Sequence, residues 1–317
     1  MAKKRGGGSC VPSLRALRCY AMMFGLCLGL PSSAASLCKR KPVIFNFGDS
    51  NSDAGGWSAG LGIDVMLPNG CAFFHEATGR LCDGRLTMDF LCESLNTSFL
   101  SLYLESLGQN SSNGANFAVS RAATIPRDSP SAWASNSTSS SFSNLALRCF
   151  SRGHANLVGK DGFADALYTI DIGQNDLTAQ FTNLPYLQVV GNIPIFIEEI
   201  RFAIWSIYQS GGKNFWVHNT GPLGYLPSIL VTAAHDASDI DELGCLRSRN
   251  DAARQFNRLL QSLCKELRSQ MKNATIVYVD IFAIKYDLIA NYTIHGFENP
   301  LMACYNNGTV CEESLRH

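Results

Sequence analysis

Charge is scarce and balanced in this chain: 16% of its 317 residues are charged, 26 basic against 26 acidic. No basic excess is available to recruit a nucleic acid or another polyanion, so such partners are excluded. Long apolar runs are missing as well. The longest, Cys19 to Leu30, falls short of the ~20 residues that a membrane-spanning helix needs, so no membrane span is expected. The Cys and His residues form no cluster at metal-ligand spacing, and no metal is implied. There is no internal repeat and no linker that would divide the chain into two bodies.

What is present begins with a leader. Lys3, Lys4, Arg5, Arg15 and Arg18 precede the apolar run without an intervening acid, and Pro31 to Ser36 ends in small residues. This order reads as a secretory signal peptide over residues 1–35, cleaved near Ala35, with residues 36–317 as one mature domain. Cleavage would leave 21 basic and 26 acidic residues, a net charge of about −5 with His neutral. Six sequons, at Asn96, Asn110, Asn136, Asn273, Asn291 and Asn307, agree with passage through the secretory pathway. The expected location is extracellular or in a cell wall. Nine cysteines would remain, at positions 38, 71, 82, 92, 149, 245, 264, 304 and 311. An odd count in an oxidising compartment leaves at least one without an internal partner. Oligomeric state is not readable.

Short apolar runs recur at wide spacing: Pro42 to Phe47, Ala115 to Val119, Ala166 to Ile172, Asn214 to Val217 and Thr275 to Phe282. Rich in β-branched and aromatic residues and without alternation, they suit five strands buried on both faces, as in a parallel sheet. Between them lie helical patterns. Ile193, Ile197, Ile200, Ile204 and Ile207 follow Asn192 and stop before Gly211-Gly212, while Asn250 opens a second stripe of Ala253, Phe256, Leu260, Leu263, Leu267 and Met271. Alternating strands and helices predict an α/β domain with helices on both faces of the sheet and a ligand site beyond the carboxyl ends of the strands. The Ser- and Asn-rich stretch 128–144 reads as an exposed loop.

Two segments carry chemistry. Phe47-Gly48-Asp49-Ser50-Asn51-Ser52-Asp53 closes the first strand and puts Ser50 just past its carboxyl end, outside any Gly-x-Ser-x-Gly context. Asp171-Ile172-Gly173-Gln174-Asn175-Asp176 ends the third strand, where the Asn175 amide could donate to the oxyanion formed when a serine attacks an ester carbonyl, a role commonly worth ~3 kcal/mol. Either segment alone is an ordinary turn. Their placement at corresponding ends of two strands gives them weight.

These segments resemble the plant GDSL esterase/lipases of the SGNH hydrolase superfamily. The likeness includes Gly55-Gly56, Pro68-Asn69-Gly70, Phe73-Phe74-His75, Thr78-Gly79-Arg80, Asp83-Gly84-Arg85-Leu86, Gly114 to Ala118, Phe215 to Leu223 and Tyr278 to Ile289, and spans about residues 42–305. The resemblance implies a three-layer α/β/α, flavodoxin-like fold with a five-stranded parallel sheet. It implies Ser50 as nucleophile and an oxyanion hole of the Ser50 amide, a backbone amide after the second strand and the Asn175 side chain, with Gly48, Asp49, Gly173 and Asp176 as supporting motif positions. The activity implied is carboxylic-ester hydrolysis through an acyl-enzyme, without a cofactor, on a small-molecule or polymer-borne ester.

Two departures from the family pattern stand out. The position five after Asn116, usually small, is Arg121, whose guanidinium is expected either to obstruct the hole or to clamp a carboxylate, obstruction being ranked first. The family's general base, a histidine in a late Asp-x-x-His with its orienting aspartate, has no counterpart before His317, and the family's last helix is missing with it. His75, His154, His218, His235 and His295 lack an aspartate three residues earlier and read as structural or solvated. The expectation is therefore weak or absent esterase activity. The alternatives are a non-catalytic secreted binder of an acylated lipid or glycoside and, ranked below it, a glycoside hydrolase using carboxylates among Asp49, Asp53 and Asp176.

Overall fold

The computed structural model describes residues 42–103, 112–125, 158–233, 235–298, 300 and 301. The leader, the stretch 128–144, Asn110, Asn136, Asn307, His154, His317 and Cys38, Cys149, Cys304 and Cys311 lie outside the described residues.

All five expected strands form: β1 (Ile44–Gly48), β2 (Gly114–Asn116), β3 (Leu167–Asp171), β4 (Asn214–His218) and β5 (Thr275–Val279). They make one parallel sheet of order β2-β1-β3-β4-β5, so β1 and β3 lie side by side near its middle. Register pairs Gly48 with Asp171 and Asn46 with both Asn116 and Thr169. The carboxyl ends of β1 and β3 are thus level, and the loops carrying Ser50 and Asn175 leave the sheet as neighbours.

The helices are α1 (Gly56–Leu61), α2 (Thr87–Ser94), α3 (Gly159–Ala164), α4 (Gln174–Gln180), α5 (Tyr186–Gln209), α6 (Pro227–Thr232), α7 (Arg247–Gln270) and α8 (Ile281–Ala290). Strand alternation sends Phe45 and Phe47 of β1 into the main core, where the Ile193, Ile200, Ile204 and Ile207 stripe of α5 meets Phe256, Leu260 and Leu267 of α7. Ile44, on the opposite side of the strand, packs on Met88 and Cys92 of α2. Helices therefore cover both faces, giving the α/β/α layering.

Several boundaries differ from the sequence reading. Helix α5 starts at Tyr186, not after Asn192, and runs through Pro194. Its apolar stripe already includes the fully buried Val189, and that packing outweighs the proline. Helix α7 starts at Arg247, three residues before Asn250. Asn250 is not a cap; it is buried inside the helix, and its Oδ1 accepts from the Gly224 amide at 2.8 Å. Strand β2 ends at Asn116, short of the expected Val119, although the Phe117 and Val119 amides still donate to the Asn46 and Gly48 carbonyls of β1 at 2.8 and 3.2 Å. Strand β5 ends at Val279 because Asp280 accepts from the Ala283 amide at 2.9 Å and opens α8.

Cys71 is disulfide-bonded, and Cys82, Cys92, Cys245 and Cys264 are free thiols. Burial pushes Cys92 and Cys264 up to about 11 and Cys245 up to about 12, which leaves them unreactive at neutral pH. Among the described residues, no helix is long and apolar enough to cross a membrane.

Candidate active site

The site grows from a row of buried polar residues across the sheet. Asn46 of β1 donates to the Asn116 side chain at 2.7 Å and accepts from the Thr169 hydroxyl at 2.7 Å, joining β2, β1 and β3 through side chains. Asn116 in turn donates to the Ser52 carbonyl at 2.8 Å. Three strands thereby hold the turn that follows β1. Gly48, its first residue, has no room for a side chain: a Cβ would lie 2.3 Å from the Ser52 Oγ and 3.0 Å from the Asp171 carbonyl. Glycine is needed there for room, since Ser52 and the Asp171 carbonyl pack directly against it.

Ser50 sits half-buried in this turn. Its backbone amide and that of Arg121 donate to nothing among the described residues. Asp49, just before it, is fully buried and accepts from the Asn51 amide at 3.0 Å and from the Asn175 side chain at 3.1 Å. Burial, reinforced by the nearby Asp171 carboxylate, holds Asp49 well above the usual carboxylate range, against the pull of the Asn51 amide and the Lys285 charge.

Asn175 lies in the first turn of α4. The preceding Gly173 has φ +116°, and a Cβ on it would enter the Phe256 ring at 2.3 Å. The Asn175 Nδ2 donates to Asp49 and to the Ala122 carbonyl at 2.9 Å, bridging the turn after β1 and the loop after β2. Both its hydrogens are therefore engaged.

Asp176 accepts from the Thr124 amide at 2.9 Å, the Thr124 hydroxyl at 2.9 Å and the Ile125 amide at 3.2 Å. Asp53 accepts from four amides: Gly55 at 2.8 Å, Gly56 at 2.5 Å, Trp57 at 3.1 Å and Ser120 at 2.6 Å. The first three lie at the start of α1, and the fourth is in the loop after β2. Even so, burial outweighs these bonds and raises Asp53 above its ordinary value. The sequence singled out Asp53 as part of a motif and as one of three carboxylates for a glycoside hydrolase; an Asp followed two residues later by Gly-Gly is the signal that could have identified its bonds to the start of α1.

Arg121 has its backbone at φ +68°, the left-handed conformation that glycine favours, and it is exposed. The histidines fall in different places. His75 is exposed with φ +61°, His235 bonds the Ala233 carbonyl at 2.8 Å, and His295 meets Asp287 at 3.2 Å on the surface. His218, at the end of β4, is buried with its Nδ1 3.6 Å from Asp171. None of these four described histidines hydrogen-bonds to Ser50.

A serine turn after the first strand and a side-chain amide after the third, on a parallel sheet of order β2-β1-β3-β4-β5, define a flavodoxin-like hydrolase fold of the SGNH type. The family model described as GDSL-like Lipase/Acylhydrolase matches residues 44–310, and the chain belongs to that family. One Arabidopsis thaliana GDSL esterase/lipase is 47% identical over 300 residues, covering 93% of this chain and 82% of the relative. Another from the same plant, LIP-4, is 49% identical over 291 residues, covering 89% and 77%. A protein named alpha-L-fucosidase 3, also from Arabidopsis thaliana, is 41% identical over 302 residues, covering 89% and 81%.

Proposed function

We propose that Ser50 is the nucleophile of a carboxylic-ester hydrolase that works by acyl transfer. The observation that carries this reading is the buried Asp49–Asn175 contact beside Ser50, which ties the serine turn and the amide of α4 into one unit. The Ser50 Oγ attacks the ester carbonyl. The oxyanion is met by the Ser50 and Arg121 amides and by Asn175, whose Nδ2 exchanges its Ala122 contact for the new charge. Collapse expels the alcohol and leaves an acyl-Ser50, which water cleaves to the free acid.

With no described histidine on Ser50, we expect the 317-residue polypeptide to turn over slowly. Loss of the base typically costs on the order of a million-fold in kcat, while the oxyanion hole retains a residual rate. Incubation with p-nitrophenyl acetate at alkaline pH, where hydroxide can replace the base, is expected to leave one acetyl group on the Ser50 peptide by mass spectrometry. Acetylation unaffected by Ser50→Ala would sink the nucleophile assignment. An ordinary kcat at neutral pH would overturn the slow-turnover reading.

A second reading, a non-catalytic binder of acylated lipid or glycoside, draws on the same engagement of both Asn175 hydrogens; stable ester binding without any acetyl transfer would favour it. A glycoside hydrolase is disfavoured. Asp49, Asp53 and Asp176 are buried to 4% exposure or less and spend their oxygens on the protein's own donors, so they do not form an acid and nucleophile pair flanking a cleft. The same reading includes secretion to the extracellular space or cell wall and glycosylation. The described sequons Asn96, Asn273 and Asn291 are all exposed, which agrees with it.

A further inference from the structure

One edge of the sheet is open. Strand β5 comes last in the strand order; its Thr275 amide donates to the Lys213 carbonyl at 2.7 Å, and its Val279 carbonyl accepts from the Asn219 amide at 3.0 Å. Alternation therefore turns the main-chain groups of Ile276 and Tyr278 away from β4. The Arg268 Nε donates to the Ile276 carbonyl at 2.7 Å, which closes part of this edge and leaves Tyr278 facing outward. The surface around it is apolar. Val277 is 43% exposed, and in α8 every residue but Lys285 and Asp287 is apolar while none is buried, Ile284 being 54% exposed. Ile294, in the turn after α8, is 74% exposed. An edge strand beside apolar surface is a template for pairing with another chain.

Two of the sequons bracket this surface. Asn273 lies two residues before β5, exposed, with φ +61°, and its side chain makes no hydrogen bond among the described residues. Val277 is four residues on, about 13 Å along the strand, within reach of a branched oligosaccharide. Asn291 ends α8, and its carbonyl accepts from the Ile294 amide at 3.0 Å, so a sugar there stands one turn from Ile294. The Asn291 Nδ2 donates to Asp287 at 2.7 Å; glycosylation takes one of its two hydrogens and leaves the other for that bond. Asn96, the third described sequon, follows α2, which packs on Ile44 of β1 away from β5. We propose that N-linked glycans at Asn273 and Asn291 shield the β5 edge and the α8 surface and keep the protein from associating with copies of itself. At each site Nδ2 bonds to the anomeric carbon of a sugar carried on a lipid pyrophosphate; the pyrophosphate leaves with the electrons of the broken C–O bond, and Nδ2 gives up one proton. The inference rests on the reading of the chain as secreted and glycosylated and gives two particular sites a role.

The test compares the full chain, secreted from a eukaryotic host, with an Asn273→Gln, Asn291→Gln double variant and with Asn96→Gln, by light scattering after gel filtration and by glycopeptide mass spectrometry. The double variant is expected to associate at a concentration at least about tenfold below the parent's, the factor carried by roughly one apolar side chain. Asn96→Gln should match the parent. Adding Val277→Lys and Ile294→Lys to the double variant charges the exposed surface without touching the core and should restore the parent's behaviour. If the double variant is not secreted, endoglycosidase trimming of the folded parent, with the two-lysine variant as its control, gives the same comparison. Equal association of parent and double variant, association that survives the two lysines, or the same association in Asn96→Gln would overturn the proposal. Glycan on Asn96 but on neither Asn273 nor Asn291 would overturn it and leave glycosylation standing; bare asparagines at all three would overturn both.

Discussion

Asp53→Asn is the sharpest test of how the serine turn is held. In the parent, Oδ1 accepts from the Gly55 and Gly56 amides and Oδ2 from the Trp57 and Ser120 amides. An asparagine keeps one acceptor oxygen and turns the other position into a donor. Whichever way the amide faces, two of the four N–H groups confront another donor, and the site is too buried for water to replace the loss. A stranded buried donor costs about 1–3 kcal/mol, so two cost about 2–6 kcal/mol. Removing the buried charge, whose desolvation raises the Asp53 pKa, offsets part of that, leaving about 2–4 kcal/mol. With a urea m-value of about 3 kcal/mol/M, the unfolding midpoint should fall by about 1 M. Asp53→Ala, which strands all four donors, should fall further. Hydrogen exchange of the Ser120 amide should accelerate in both variants. A midpoint within about 0.2 M of the parent for Asp53→Asn, with the Ser120 amide still protected, would refute the reasoning.

Arg121→Gly places the residue that tolerates a left-handed backbone where φ is +68°, and the strain relieved exceeds the entropy glycine adds to the unfolded chain by about 0.5–1 kcal/mol. Calorimetry should show Tm raised by roughly 2 °C, and a lowered Tm would contradict the backbone argument. Asp49→Asn addresses pH. Because burial raises the Asp49 pKa in the folded state, the native protein holds its proton more tightly than the unfolded chain, and stability falls as pH rises from the ordinary value of 3.8 through the raised one. Removing the titration should flatten that fall and leave the variant, relative to the parent, more stable at neutral pH than at pH 4. Urea midpoints at pH 4 and pH 7 measure this, and parallel midpoints in the two proteins would contradict it.

The strands were legible because buried parallel strands need short apolar, β-branched runs; the expectation of burial on both faces fails for β5, an edge strand whose Thr275 and Val277 are exposed. Helix faces were legible for the same reason, down to Leu260 and Leu267 of α7. Helix starts were not. Asn192 and Asn250 look like caps in sequence, but Asn192 donates to Gln180 and Asn250 clamps Gly224, both from inside a helix. A polar side chain before an apolar stripe signals a cap only if no tertiary partner claims it, and the partner is invisible in one dimension. The same limit hid the cavity of about 250 Å³ after β4, whose lining residues Gln174, Tyr225 and Lys285 are far apart in sequence.

The motif aspartates show how a family signature can be read for the wrong chemistry. Asp49, Asp53 and Asp176 surround a nucleophile, and by proximity alone they invite acid, base or nucleophile roles. Counting their hydrogen bonds removes that freedom. Asp53 and Asp176 together hold the loop after β2 at Ser120, Thr124 and Ile125, and Asp49 holds Asn175. The loop between those anchors carries Arg121 and the Ala122 carbonyl, the elements that shape the space facing Ser50. Each of these carboxyl groups is buried and bonded to the protein's own donors, and those bonds tie together the loops around Ser50. The signature therefore encodes a frame around Ser50, and the chemistry is left to the serine, the free amides of Ser50 and Arg121, and whatever base reaches them.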